Sequence, residues 1–259
     1  MTIALPASWI VPQWPVPANV RAVCTTRVGG HSTGPYQSLN LGDHVGDATD
    51  AVARNRATFA AAIDARPVFL NQVHGAGVIR LTDEALDAVE ADAAITTAGA
   101  VACTIIVADC LPILFALRDG RAVAAAHAGW RGLAGSHGRG VLESIWEQLQ
   151  QQTGARAERT MAWLGPCIGP ASFEVGPEVK AAFEAADPGA SMLFRSTRNG
   201  KWMADLPGLA RRRLRALGLT QLYGNDGSIE WCTVANQSMF FSHRRDRVSG
   251  RFAAGVWRV

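Results

Sequence analysis

VACTIIVADCLPILFALRDGRAVAAAHAGWRG, residues 101–132, is the stretch whose reading decides the fold. Val101 to Val107 is an unbroken apolar run of strand length, the pattern of a strand covered on both faces. Leu111 to Leu117 repeats it, with Pro112 near its start. Asp119-Gly120 then marks a hairpin turn into Ala122 to Ala126. Three strands in succession with no helix between them exclude a strictly alternating, doubly wound sheet. Cys110 falls at the junction of the first two strands, and His127 ends the third.

The flanking segments follow the same logic. Asp47 to Ile63 reads as a helix, with Asp47, Thr49 and Asp50 suited to capping and Val52, Phe59 and Ile63 on one side. Pro67 to Leu81 reads as two short strands interrupted by His74-Gly75-Ala76-Gly77. Gly138 and Gly140 lead into a helix over Val141 to Gln151. Met161 to Leu164 is a strand that runs into the rigid loop GPCIGP at 165–170. Pro177 to Ala186 is a helix with Pro in its first turn. Asp205 caps a helix that begins at Leu206-Pro207 and ends at Gly218. Ile229 to Val234 and Arg251 to Val259 read as closing strands. Strands in groups, with helices between the groups, predict a layered α+β fold. No linker or fixed-period repeat divides residues 1–259, which read as one domain.

Composition narrows the function classes. Among 259 residues, 48% are hydrophobic and 18% charged, and the formal net charge is +3. That is an ordinary globular balance, too weakly basic to argue for nucleic acid. The densest basic group, Arg211, Arg212, Arg213 and Arg215, falls on a predicted helix and reads as its solvated face, with a phosphate-rich ligand as the competing reading. Met1 to Val20 lacks the charged and apolar regions of a signal peptide, and no run approaches the roughly 18 apolar residues of a membrane span. The five cysteines are odd in number and include no C-x-x-C pair. A reducing, cytoplasmic setting is therefore expected.

His74 (in NQVHG), Cys110 (in ADCLP) and His127 (in HAGWRG) carry the chemistry. Each lies at or near the end of an apolar run, where the chain turns into Gly, Pro or polar residues. Two imidazoles and a thiolate suffice to hold one zinc with a fourth position open, the arrangement of a catalytic site. The same trio equally describes a cysteine nucleophile with a histidine base. The wide gaps between the three suit a site assembled from separate strands rather than a zinc knuckle. Asn71 and Gln72, and Trp130 and Arg131, stand beside the two histidines as supporting hydrogen-bonding groups. Cys103, Cys24 and Cys232 read as small core residues, and Cys167 lies in the Gly-Pro loop.

A second group points to anions. CTTRVGG (24–30) precedes SLNLGDHVGD (38–47), a segment rich in Gly, hydroxyls and amides. Arg27 is suited to two-pronged binding of phosphate or carboxylate, and the loop reads equally as surface structure capped by its own side chains. Arg131 is the other phosphate candidate, against a surface ion pair. FFSHRRD (240–246) adds a further histidine flanked by two arginines.

Taken together, CTTRVGG, SLNLGDHVGD, NQVHG, ADCLPILF, HAGWRGLAG, GPCIGPASFEVG (165–176) and FFSHRRD resemble the laccase-domain family of bacterial and animal proteins. Members of that family carry the labels multicopper polyphenol oxidase, purine nucleoside phosphorylase and peptidoglycan-editing factor. The resemblance implies an α+β fold of packed β-sheets with helices outside. It implies zinc held by His74, Cys110 and His127; copper is the expected substitute on raw affinity. It implies phosphorolysis of adenosine, inosine and methylthioadenosine, with adenosine deamination as a side activity and nucleoside and phosphate as the partners. In that reading Arg27, Asn40, Gln72 and Arg131 are the expected substrate-binding residues, and Asp109 orients a ligand or moves a proton. The alternative is a cytoplasmic amidase that edits UDP-MurNAc-L-Ser with Cys110 as nucleophile. A multicopper oxidase is disfavoured, because each of several coppers needs more than one imidazole and the chain has six histidines. Ser136-His137-Gly138-Arg139 departs from the family pattern as a short insertion, expected close to the site.

Overall fold

A computed structural model describes residues 5–259. The reading of the first residues, Met1 to Ala4, lies outside that range. Along the chain run β1 Val20–Cys24, α1 Thr49–Ile63, β2 Arg66–Phe69, β3 Val78–Leu81, β4 Ala93–Thr96, β5 Val101–Val107, β6 Leu111–Leu117 and β7 Val123–Ala128. There follow α2 Trp130–Ala134, α3 Val141–Thr153, β8 Thr160–Leu164, β9 Glu174–Val175, α4 Pro177–Glu184, β10 Phe194–Ser196 and β11 Trp202–Ala204. The chain ends with α5 Leu206–Ala216, β12 Gln221–Gly224, α6 His243–Asp246 and β13 Phe252–Arg258.

The strands form a sheet ordered β1-β13-β5-β2, a sheet ordered β12-β8-β6-β7-β4-β3, and a small one ordered β10-β11-β9. Strand alternation explains how the larger two stack. Along β6, Leu111, Ile113, Phe115 and Leu117 join the core under α3 and α5, while Leu114 and Ala116 join Val101, Cys103, Ile105 and Val107 of β5. The remaining face of β5, Ala102 and Ile106, packs under Phe59 and Ile63 of α1. The layers are thus α1, the first sheet, the second sheet, then α3, α4 and α5. Both sheets are covered on both faces, so β5, β6 and β7 are buried along their whole length. Among the described residues no helix is long and apolar enough to cross a membrane.

The α+β class, the β5–β6–β7 order and the 119–120 turn match the sequence reading. Three local expectations do not. The first helix starts at Thr49, because Asp47 is turned back to the Asn40 side chain and the Ala48 N–H. Ile229 to Val234 is not a strand. A 3-10 turn occupies Ile229–Trp231, a single bridge joins Cys167 and Cys232, and Asn236 Nδ2 donates to the carbonyls of Ile229, Glu230 and Cys232, which a ladder would have used. The arginines of α5 are not a solvated face. Arg211 donates to the carbonyls of Gly224 and Asn225, Arg212 pairs with Asp187, and Arg213 joins Glu143 to the carbonyls of Ala134 and Gly138. Only Arg215 of the four is exposed.

Candidate active site

The turn between β5 and β6 places Cys110. Asp109 has φ +91°, and both its carboxylate oxygens are occupied: one accepts from Thr233 Oγ1 at 2.6 Å, the other from the Arg244 N–H at 2.6 Å. Asp109 therefore ties the Cys110 turn to the start of α6. His127 sits one residue before the end of β7. His74 lies between β2 and β3, in the left-handed region at φ +61°, a conformation unfavourable for a residue with a Cβ and held by its surroundings.

Those surroundings centre on Asp92, which the sequence reading passed over. It is fully buried at the head of β4. One oxygen accepts from His127 Nδ1 at 2.8 Å and from the His74 N–H at 2.9 Å. The other accepts from the Gly75 N–H at 2.6 Å and the Val73 N–H at 3.3 Å. The carboxylate thereby fixes the His74 turn and leaves His127 Nε2 facing the centre of the site.

The donor atoms of His74, Cys110 and His127 all lie within 4.8 Å of one another, and Cys110 Sγ is 3.7 Å from His74 Nε2. Zinc bonds of about 2.3 Å to sulfur and about 2.0–2.1 Å to nitrogen set these atoms roughly 3.6 Å apart at a tetrahedral angle. The donor set, its spacing and the carboxylate behind one imidazole all fit a zinc centre with a free position. Among the described residues this is the one group of three or more His, Cys, Asp or Glu side chains so gathered. Gly129 makes room for it: a Cβ there would sit 2.8 Å from His74 Cδ2 and 3.0 Å from Cys110 Sγ.

Electrostatics couple the trio. Burial alone raises the Cys110 thiol, but His127 and His74 outweigh it and bring it down to about 6. Burial alone lowers His127, but the Cys110 and Asp92 charges lift it to about 9. Burial also disfavours charge on Asp92, and the His127 contact still holds it below the usual carboxylate range. Both shifts run the same way: without metal they favour a thiolate beside an imidazolium that the Asp92 carboxylate supports.

The trio opens into a cavity of about 370 Å³. Its lining combines apolar side chains, among them Ile106, Ile168, Phe173 and Leu206, with His44, His243, Arg244 and Arg251. Of the expected residues, Gln72 and Asp109 line this cavity. The Gln72 amide is committed to the backbone of Ile106, donating to its carbonyl and accepting from its N–H, as a further rung beside β5. Asn40 is buried in its own loop. Arg27 and Arg131 are not among the lining residues. Arg27 donates to the carbonyls of Gln37 and Gln237 and lies over Phe241, and Arg131 lies over Trp130. The segment Ser136 to Arg139 forms a tight turn between α2 and α3. It borders a different cavity, beside α5, rather than the His–Cys–His site. Sequence reasoning had no signal for Asp92 or Arg251, each a lone polar residue until pairing brings it in, and His44 lay in the 38–47 segment without being singled out.

Comparison with known proteins finds relatives along nearly the whole chain. The family model described as multi-copper polyphenol oxidoreductase laccase matches residues 21–259. An Escherichia coli (strain K12) protein named purine nucleoside phosphorylase YfiH is 46% identical over 252 residues, spanning 96% of this chain and 98% of its own. A Pseudomonas aeruginosa purine nucleoside phosphorylase is 46% identical over 251 residues, with the same two coverages of 96% and 98%. Among solved structures, a Neisseria meningitidis protein superposes with a TM-score of 0.88 at 43% identity, covering 97% of this chain and 99% of that one. YlmD from Geobacillus stearothermophilus gives 0.81 at 32% identity, covering 93% and 92%.

Proposed function

We propose, for a chain that belongs to the multi-copper polyphenol oxidoreductase laccase family, the activity of a zinc-dependent purine nucleoside phosphorylase acting on adenosine, inosine and methylthioadenosine. The observation that carries the reading is the convergence of His74, Cys110 and His127 at a cavity lined by apolar side chains and by two arginines. The names of the similar Escherichia coli and Pseudomonas aeruginosa proteins support it.

His74, Cys110 and His127 would hold the metal, and Asp92 would keep His127 in the tautomer that presents Nε2. When bound, zinc supplies Lewis acidity toward a substrate oxygen and a lowered pKa for water, chemistry on which phosphorolysis and a side deamination at purine C6 both draw. The apolar side chains of Ile168, Phe173 and Leu206 take the flat purine. The lining arginines, Arg244 and Arg251, hold the phosphate dianion against the ribose, where a bond from phosphate oxygen to C1′ forms as the C1′–N9 bond breaks. The purine nitrogen takes up a proton as it leaves, balanced by the proton that the attacking hydrogen phosphate loses. Enclosure of the ribose carbon in this cavity excludes water as the competing nucleophile.

The test is release of free base from the three nucleosides by protein of known zinc content, with and without phosphate. Release that needs phosphate, and is lost in His74, Cys110 and His127 variants, is expected. Base release independent of phosphate, or none from zinc-replete protein, would remove the reading.

One observation favours a second reading. Cys110, His127 and Asp92 also form a thiolate–imidazolium–carboxylate series, the order of a cysteine hydrolase. It corresponds to the wall-precursor amidase, with Cys110 attacking the amide carbonyl. Zinc-bound sulfur is a poor nucleophile, so the two readings exclude each other at one atom. Stoichiometric alkylation of Cys110 in the zinc-loaded protein would favour the amidase.

A further inference from the structure

Charged side chains withdrawn from water are normally paired. Two arginines line the cavity, and among the described residues neither guanidinium has a carboxylate partner or an acceptor at Nε or Nη2; they differ in how they are held. Arg244 donates through Nη1 to the Glu174 carbonyl at 2.9 Å and lies over the Phe173 ring, 5.5 Å from its centre. Arg251 donates through Nη1 to the carbonyls of Ser249 and Gly250, at 2.9 and 3.0 Å. Its Nε and Nη2 have no acceptor, and among the described residues no carboxylate pairs with it. Burial pulls its pKa down, countered in part by the nearby Cys110 and Asp109. A half-buried guanidinium with Nε and Nη2 free thus faces the cavity with no carboxylate in ion-pair contact.

Its position is built rather than incidental. Asn40, fully buried, accepts through Oδ1 from the Arg251 N–H at 2.8 Å and the Gly42 N–H at 2.9 Å. Asn40 Nδ2 donates to the Gly42 carbonyl at 3.0 Å and to Asp47 at 2.9 Å. The Leu41 N–H closes the buckle on the Arg251 carbonyl at 2.9 Å. Gly42 presses directly on the arginine stem, where a Cβ would lie 2.7 Å from Arg251 Cγ. Two residues on, the same loop brings His44 into the cavity wall, with Nδ1 toward Asp43 at 3.5 Å. The segment that looked like an anion loop does serve the cavity, but through the arginine it buckles in place rather than through Arg27.

We propose that Arg251 and His44 form the oxyanion subsite of this cavity, binding inorganic phosphate beside the His74–Cys110–His127 centre. Naming the anion as the phosphate nucleophile rests on the phosphorylase reading. The subsite itself rests on the unpaired guanidinium.

The experiment combines steady-state kinetics with calorimetric titration of inorganic phosphate, on zinc-loaded full-length protein with zinc content and melting midpoint recorded. Arg251→Gln raises the KM for phosphate at least about tenfold, the loss expected for hydrogen bonds to a charged group. The KM for nucleoside moves much less, and Arg251→Lys recovers part of the loss. Gly42→Ala, which displaces the stem without touching the charge, weakens phosphate in the same direction, as does His44→Gln. Arg27→Gln and Arg131→Gln leave it unchanged. If Arg251→Gln misfolds, the Gly42 and His44 variants carry the test. Phosphate-dependent turnover with wild-type phosphate KM in folded Arg251 and Gly42 variants would overturn the subsite and leave the phosphorylase reading standing. Phosphate binding that is lost in Arg251→Gln, in a protein that releases no base, would leave the subsite standing and overturn the phosphorylase reading.

Discussion

Asp92 accepts a 2.8 Å hydrogen bond from His127 Nδ1 while the same oxygen accepts the His74 N–H at 2.9 Å, so one buried carboxylate sets both imidazoles of the site. Asp92→Asn keeps the shape and replaces one acceptor by an amide facing N–H donors. Zinc affinity is expected to fall about 10- to 100-fold, the usual effect of removing such a supporting group. Competition against a chromophoric chelator measures it. Unchanged affinity would show that the ligands hold their geometry without Asp92.

Gly129 separates β7 from α2 at the point where the site has no spare volume. A methyl group would press on His74 Cδ2 and Cys110 Sγ together. Gly129→Ala is expected to yield folded protein, with wild-type far-ultraviolet circular dichroism, that binds well under one zinc per chain and has lost turnover. A zinc content equal to wild type would mean that His74 moves aside freely, against its fixed left-handed turn.

Much of the frame was legible because it is local. The apolar runs of β5 and β6, the 119–120 turn and the Asp205 cap each announce themselves within a few residues. Cys110, His74 and His127 stood out because each ends such a run beside Gly or Pro. What escaped depends on long-range pairing. Asp92 looks like a lone acid before an alanine run until β4 pairs with β7 in the register Ala93 to Ala126, which sets Asp92 beside His127. Arg251 looked like the first residue of a strand, and only the Asn40 buckle, from the far end of the chain, turns it to the cavity. Ile229 to Val234 alternates like a strand, but Asn236 takes its carbonyls.

The shifted thiol predicts a pH profile for metal-free protein. Cys110 is depressed from 9.0 to about 6, so its ionised form contributes stability above that range, which is lost as pH falls through about 6. His127 is raised from 6.5 to about 9, so its contribution is present at low pH and lost as pH rises through about 9. The ion pair therefore holds between about 6 and about 9. Alkylation of metal-free protein by iodoacetamide should rise with an apparent pKa near 6 and depend on Cys110. A midpoint near that of an ordinary thiol would contradict the pairing. Zinc should suppress the reaction.

Asn55 of α1 holds the anion-loop region together from inside. Its fully buried amide donates to Ser32 Oγ and the Asn40 carbonyl and accepts from the His31 N–H at 2.7 Å. Asn55→Leu leaves these groups without partners, at a cost of about 3 kcal/mol or more. Urea unfolding should show the loss. A free-energy change under about 1 kcal/mol would mean that water replaces the amide.

The metal count separates the oxidase label from the zinc centre. Of the six histidines, His31 and His137 are exposed and lie off the cavity, and His44 and His243 line it apart from the trio of donors. One tight metal per chain is therefore expected, where a multicopper oxidase needs several coppers. Copper(II) outcompetes zinc at most nitrogen and sulfur sites, so one equivalent should displace it. With two imidazoles and a thiolate as ligands, the product should show a sulfur-to-copper charge-transfer band in the visible that Cys110→Ser abolishes. Metal analysis by mass spectrometry, alongside that spectrum, decides the question. Two or more tightly held coppers per chain, or a band that survives Cys110→Ser, would mean that histidines outside the trio form a second centre and would reopen the oxidase reading.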